Sequence, residues 1–384
     1  MKNRAGPLAA AVSLFALSLP LLWRGPADGD VTELQRYGDA LLAGQVPYRD
    51  FRLEYPPGAV PFFALPSLGP AHDYLTLFRL LAAAGVLAGL VLLALLLDRL
   101  GAPRRLRYGA LALAALAPAL LGSFSLERFD AWPAALCLGV VLLLVDRRPV
   151  WAFALLAVAT LVKTYPAALL PLALLFAGGR DRVRGLAVYC AVGLAVLLPF
   201  AAVAHAGLYN SYSGQWNRHL QLETLGSSVL LALHRPLRVA FDSGSWSVFG
   251  GGAGALAGLQ TLLQAAGVAG AALLFARSRR RPADLAAAAA VTVAVAACLG
   301  KVLSPQFLLW VAPFALLSSS AAAGALLAAA ALLTNLLFPD RYGGLVARHD
   351  GEIWLLVARN VLLVTMVAIL LAVQARRAAT VAPR

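Results

Sequence analysis

Charge is scarce in this chain. Only 13% of its 384 residues are Asp, Glu, Lys or Arg, against about 25% in ordinary soluble domains. That excludes a soluble globular enzyme and a disordered tail. Cysteine is scarcer still. Cys137, Cys190 and Cys298 each sit inside an apolar run and no pair has metal-ligand spacing, which excludes a secreted disulfide scaffold and leaves three small buried hydrophobes. No His/Asp/Glu set has metal spacing, and no G-x-S-x-G motif is present. The one glycine-rich stretch, Gly250-Gly251-Gly252-Ala253-Gly254, lacks the Lys-Ser/Thr partner of a phosphate-cradling loop. No internal repeat is visible, which counts against a transporter built from inverted halves. Lysine is nearly missing, 3 residues against 29 arginines, so the position of each lysine is informative.

What is present is hydrophobicity: 61% of the residues, with a mean hydropathy of +0.79. Apolar segments lie near 7–23, 74–97, 108–121, 131–145, 150–162, 166–177, 185–204, 252–276, 284–300, 307–318, 321–338 and 352–374. They predict an all-α polytopic membrane protein with about 11–12 membrane helices, read as one transmembrane domain over 1–384. No A-x-A-like cleavage site follows Trp23, so the first segment reads as a retained helix rather than a signal peptide. Segments 150–162 and 166–177 are short, about 20 Å at about 1.5 Å per residue, against a hydrocarbon core about 30 Å thick. They read as a helical hairpin turning at Lys163-Thr164-Tyr165-Pro166. A polar tip at membrane depth is tolerable only where it lines a protein cavity.

The connections sort by charge. One set (the amino terminus, 98–107, 146–148, 180–184, 277–281 and the tail) holds 18 Lys/Arg and, counting Asp284 at the start of the next segment, 4 Asp/Glu. The other (outer loops about 24–73, 122–130, 205–251 and 339–352, with Arg79) holds 11 Arg and 14 Asp/Glu. The basic set marks the cytoplasmic side, so both termini are expected there. The formal charge of +14 is thus a topology signal, and no nucleic-acid partner is expected. The cytoplasmic connections are too short for a nucleotide-binding domain.

The candidate chemistry lies in the outer loops and on intramembrane cations. Residues 31–43 read as a surface helix, with Val31, Leu34 and Leu41–Leu42 on its apolar side and Asp30, Glu33 and Tyr37 on its polar side. Asp30 with Glu33 also resembles a capping box, a role compatible with a chemical one. Glu54 follows in the proline-stiffened EYPPG segment. Lys163 and Lys301 lie within the hydrophobic body, at about 2.5–3.5 kcal/mol each on insertion scales. Each either snorkels to the interface or is a cation for an anionic ligand; Arg359 in the last span is a third such candidate. Glu127-Arg128-Phe129-Asp130 in the second outer loop reads equally as a solvated salt-bridge cluster or a site. Trp216, Arg218, His219, Gln221 and Glu223 in the third suit a sugar, as would an ordinary surface loop.

Taken in order, the GD…Y helix, PYRDF-x-x-EYPPG, ERFD, VKTYPAALLP, RHLQLETL and KVLSPQFLLW resemble the bacterial glycosyltransferase family 87, over about residues 28 to 315. The resemblance implies a GT-C-type membrane fold in a bacterial plasma membrane, an active site on the outer face, and a polyprenyl-phosphate sugar donor. Mannose is the expected sugar and a lipid or cell-envelope glycan the acceptor. It implies Asp30 as catalytic base, with Lys163 and Lys301 at the family's basic positions; Arg128 and Arg359 are further candidates for the donor phosphate. Glu33, Tyr37, Glu54, Asp130, Trp216, Arg218, His219 and Glu223 are candidates for the sugar or acceptor. The lipid-linked sugar is a co-substrate and no cofactor is expected; metal dependence and oligomeric state have no signature in the residues. Two other classes stay open: a lipid or solute transporter or flippase, which intramembrane cations also fit, and a non-catalytic scaffold, which leaves the lysines unexplained. Glycosyl transfer as against movement of intact lipid between leaflets separates them.

Overall fold

The structure, a computed structural model, describes residues 5–24 and 29–380. Lys2 and Arg4, counted above with the basic set, lie outside the described residues. By internal packing the chain divides into two units, Met1–Trp216 and Asn217–Arg384.

The first unit is helical: α1 Ala5–Leu22, α2 Gly29–Leu42, α3 Val60–Ser67, α4 Tyr74–Arg99, α5 Arg104–Leu121, α6 Ala131–Val145, α7 Pro149–Val162, α8 Leu170–Ala177 and α9 Gly179–Trp216. The sequence AWPAALCLGVVLLLV is apolar on every side, so α6 is enclosed, packed against α4 and α7. Trp132 Nε1 on α6 donates to the carbonyl of Leu81 on α4 at 2.8 Å. Pro149 opens α7, where its missing N–H costs nothing. Lys163 ends the helix in an extended conformation, and a 3-10 turn over Tyr165–Leu169 leads into α8. The short hairpin expected from the sequence is therefore present as two helices broken at Lys163-Thr164. α9 reaches Trp216 as two helical stretches that meet at a kink at Ala204, where the apolar run ends; its last turns belong to what the sequence suggested was loop.

The second unit begins with a small antiparallel sheet absent from the sequence-based expectation. Its strands are β1 Leu220–Gln221, β2 Leu237–Asp242 and β3 Ser245–Gly250, in the order β1-β3-β2. Asp242 pairs with Ser245 across a two-residue turn in which Ser243 and Gly244 both have positive φ, 49° and 73°. This is the backbone that matches strand twist in tight hairpins. The helices are α10 Leu225–Ala232, α11 Ala253–Arg277, α12 Pro282–Cys298, α13 Leu308–Val311, α14 Ala321–Leu337, α15 Tyr342–Val346 and α16 Asp350–Ala379. From Leu285 to Cys298 every residue of α12 is buried. Its run of alanines lets α11 and α16 approach closely. The span expected over 307–318 is not one helix. Only Leu308–Val311 is helical and turns follow to residue 318, because Pro313 lacks the N–H and its ring clashes with the preceding turn.

Among the described residues five helices are long and apolar enough to cross a membrane: Ala5–Leu22, Ala71–Arg99, Gly179–Trp216, Ala253–Arg277 and Asp350–Ala379. Five more apolar helices of 10–17 residues accompany them. The chain is an all-α polytopic membrane protein apart from the small sheet.

Candidate active site

In the first unit the ERFD segment is the organising element. Gly122, with φ 99°, ends α5, and the 3-10 turn Ser123–Glu127 carries the chain inward to α6. Glu127, Arg128, Phe129 and Asp130 are all buried. The solvated cluster that the sequence allowed is thus ruled out. The three charged residues of this segment each reach a different element. Glu127 pairs with Arg79 of α4, itself buried, and Arg79 also donates to the carbonyl of Trp23 at 3.1 Å. Arg128 Nη2 lies 2.7 Å from Asp30 Oδ2 on α2. Asp130 Oδ1 accepts from Lys163 Nζ at the end of α7 at 2.6 Å. The ammonium of Lys163 also sits 5.2 Å from the centre of the Phe129 ring and 6.0 Å from that of Tyr55, within cation–π range. Lys163 therefore does not snorkel; it has a carboxylate partner inside the protein.

Helix α2 rests on an aromatic core. Val31 and Leu34 bury their side chains there with Phe63, Phe78 and Phe129, worth about 1.5–3 kcal/mol each. Tyr37 joins that core, its ring 5.8 Å from those of Phe51 and Phe63, and donates its hydroxyl to Glu33 Oε1 at 2.6 Å. Burial, then Glu33, pushes the Tyr37 hydroxyl well above its ordinary pKa. The capping-box assignment is corrected: Gly29, before Asp30, is already helical, so Asp30 is not the cap, and Glu33 is engaged by Tyr37. Asp30 instead meets Arg128, and its side chain stays 53% exposed, whereas the Asp130 side chain is 1% exposed. Of the two carboxylates, Asp30 is the one open to a ligand.

The EYPPG segment closes the cluster. A Cβ on Gly58 would lie 2.6 Å from the backbone of Leu161, so only glycine allows this loop to approach the last turn of α7, beside Lys163. Tyr55 packs on Phe63 and Phe129. Burial first, then the negative charges of Asp30, Asp130 and Glu54, raises its pKa, and Arg128 opposes them; all four charges thus act on one ring. Glu54 itself pairs loosely with Arg52 at 3.4 Å, and its carbonyl accepts from Gln215 at the end of α9. Trp216, next to it, is 75% exposed.

In the second unit Gln221 is the hub. Its N–H donates to the carbonyl of Lys301 at 3.0 Å. Its side chain donates to Ser304 Oγ at 3.1 Å and accepts from the N–H of Leu303 at 3.1 Å. The KVLSP turn is thereby tied to the strand β1. Two residues on, buried Glu223 accepts from the Tyr342 hydroxyl at 2.7 Å. Arg359 and Asn360 of α16 donate to its backbone carbonyl at 2.9 and 3.3 Å. Burial pushes the Glu223 carboxyl up to about 7, against the opposing pull of Tyr342 and Arg359. Arg218 donates to Ser245 Oγ at 2.9 Å, and His219 pairs with Asp242 at 2.9 Å while lying on the Phe249 ring; both side chains brace the sheet.

The structure thus gathers Asp30, Glu33, Tyr37, Glu54, Arg128, Asp130 and Lys163 in the first unit. Lys301, Arg218, His219, Glu223 and Arg359 lie in the second. Sequence reasoning missed the pairing of Arg79 with Glu127 and the part played by Tyr342. A buried arginine within the apolar helix α4 was the available sign of the first; the second had none. Among the described residues no three His, Cys, Asp or Glu side chains gather as a metal site. A family model, that of glycosyltransferase family 87, matches residues 53–305, more than half of the chain. No curated protein matches it.

Proposed function

The chain belongs to glycosyltransferase family 87, and from that premise we propose that it moves mannose from a polyprenyl-phosphate donor to a lipid or cell-envelope glycan acceptor, with inversion. The observation that carries the reading is the pairing made by the ERFD segment: a half-exposed carboxylate, Asp30, is held by Arg128, and two residues on Asp130 holds Lys163. In this mechanism the acceptor hydroxyl attacks the anomeric carbon as the bond from that carbon to the phosphate oxygen breaks. Asp30 takes the hydroxyl proton. Arg128 and Lys163 share their charge with the departing lipid phosphate, whose negative charge grows as the bond breaks. Lys301, at the other basic position that the resemblance implies, belongs to the second unit. One displacement with one base inverts the anomeric centre. The donor's long lipid suits a polytopic protein in the bacterial plasma membrane, with both termini cytoplasmic and this site on the outer face.

The test is purified protein in lipid, radiolabelled polyprenyl-phosphomannose and a mannoside acceptor, with product configuration read by NMR. Transfer with inverted configuration is expected, and GDP-mannose should give none. Passage of the intact lipid between leaflets without transfer would refute the enzyme and leave the flippase.

A further inference from the structure

In the second unit the end of α11, the start of α12 and the end of α16 converge. Gln374 of α16 donates to the carbonyl of Ala271 on α11 at 2.7 Å, and Arg377 of α16 lies 3.6 Å from Asp284 of α12. Between them is a pocket of about 270 Å³ lined by Arg279, Arg281, Asp284, Arg377 and Thr380. Its one carboxylate is already engaged: Asp284 accepts from the N–H of Arg281 at 3.1 Å, capping α12, and faces Arg377. Arg280 takes no part. It has a positive φ of 52°, and its guanidinium turns back to the carbonyl of Ala276. That turn leaves its neighbours Arg279 and Arg281 on the pocket, both exposed.

The basic connections 98–107 and 146–148 differ, since Arg99 is met by Asp146 and Arg107 by Asp98. Here Arg277, Arg279, Arg280, Arg281, Arg376 and Arg377 share the single Asp284. Planar guanidinium groups converging on one space match the oxygens of a phosphate. The pocket lies at the ends of two helices long enough to span a membrane, where lipid head groups are found. We propose that it is a phosphate site filled by the head group of an anionic lipid. This site is independent of the transferase reaction.

The test is native mass spectrometry of the full purified chain in detergent, titrated with phosphatidylglycerol, phosphatidylcholine or inorganic phosphate. Phosphatidylglycerol should bind at least tenfold tighter than phosphatidylcholine. Arg279→Gln with Arg281→Gln should weaken it about 25-fold, at about fivefold per arginine near an anionic head group. Arg280→Gln should change it less than about threefold. The thermal midpoint of each variant without added lipid should match the parent, since all three side chains are exposed. A loss of about fivefold from Arg280→Gln, the same per arginine as for the pocket pair, would mean diffuse charge attraction and overturn the site, as would no lipid preference. Inorganic phosphate binding as tightly as phosphatidylglycerol would overturn the lipid assignment.

Discussion

Replacing Lys163 by Met tests whether the lysine is there for stability, for the donor, or for both. Asp130 is 1% exposed at its side chain and Lys163 15%. At an effective dielectric of about 20, unit charges about 4 Å apart attract by about 4 kcal/mol. Removing one member of a buried pair costs about 3–5 kcal/mol, because the other stays buried without its counter-charge. The residual exposure of Lys163 places Lys163→Met at the lower end, about 3 kcal/mol. Asp130→Asn should cost less, about 1–2 kcal/mol, since the ammonium left behind is partly exposed and lies on the Phe129 and Tyr55 rings. The double variant removes both charges and should fall within about 1 kcal/mol of the parent, giving a coupling of about 3–5 kcal/mol.

The assay is unfolding free energy in mixed micelles, with mannosyl transfer measured on the same samples. If Lys163 meets the donor phosphate, the double variant regains stability but not transfer, and donor affinity stays low. Recovery of both would make Lys163 a structural residue. A Lys163→Met protein within about 0.5 kcal/mol of the parent would refute the buried pair itself.

Asp30→Asn keeps the side chain's size and hydrogen bonding but cannot take a proton; turnover should drop at least about a hundredfold with donor still bound, and activity within threefold of the parent would remove Asp30 as base. Glu223 titrates in the folded chain at about 7, above the ordinary carboxylate value. Its protonated form favours the fold, so this contribution is full below about pH 4.5 and is lost as pH rises through about 7. The thermal midpoint should therefore fall from pH 5 to pH 8, and Glu223→Gln should flatten that slope; an unchanged slope refutes the assignment. Gln221→Ala frees the turn carrying Lys301, so transfer should fall more than tenfold while the first unit keeps its protease resistance, checked by limited digestion. Cys137 and Cys298 are buried as expected but Cys190 is exposed, so in a Cys190→Ala background Gly44→Cys should react with an impermeant maleimide from outside. Gly101→Cys should react only after permeabilisation; the reverse pattern overturns the orientation.

Helices were legible where polar residues punctuate an apolar run. Asp130 and Asp146 bracket 131–145, and α6 has those bounds. The same logic failed at 307–318, where Pro313 breaks the backbone without changing hydropathy, and at 237–250, where an apolar-period test for long helices overlooks a hairpin. Ser243-Gly244, a pair suited to positive φ, was the local signal there. The site was half legible for a related reason. An ionisable residue in an apolar setting must have a partner, so Lys163 and Arg359 could be singled out from hydropathy alone. Which partner is a matter of tertiary packing: Asp130 is 33 residues from Lys163, Glu127 is 48 from Arg79, and Glu223 is 136 from Arg359. Nothing periodic links such positions. The same four residues therefore read as a solvated cluster in isolation and as the centre of the site once folded. Alternate residues of ERFD point to separate carriers: Arg128 to the half-exposed carboxylate of α2, Asp130 to the lysine that ends α7. A segment fixed on one side by Glu127 and Arg79 can hold Asp30 and Lys163 in register only if it is itself buried, which is why a stretch with three charges in four residues is among the least exposed of this unit.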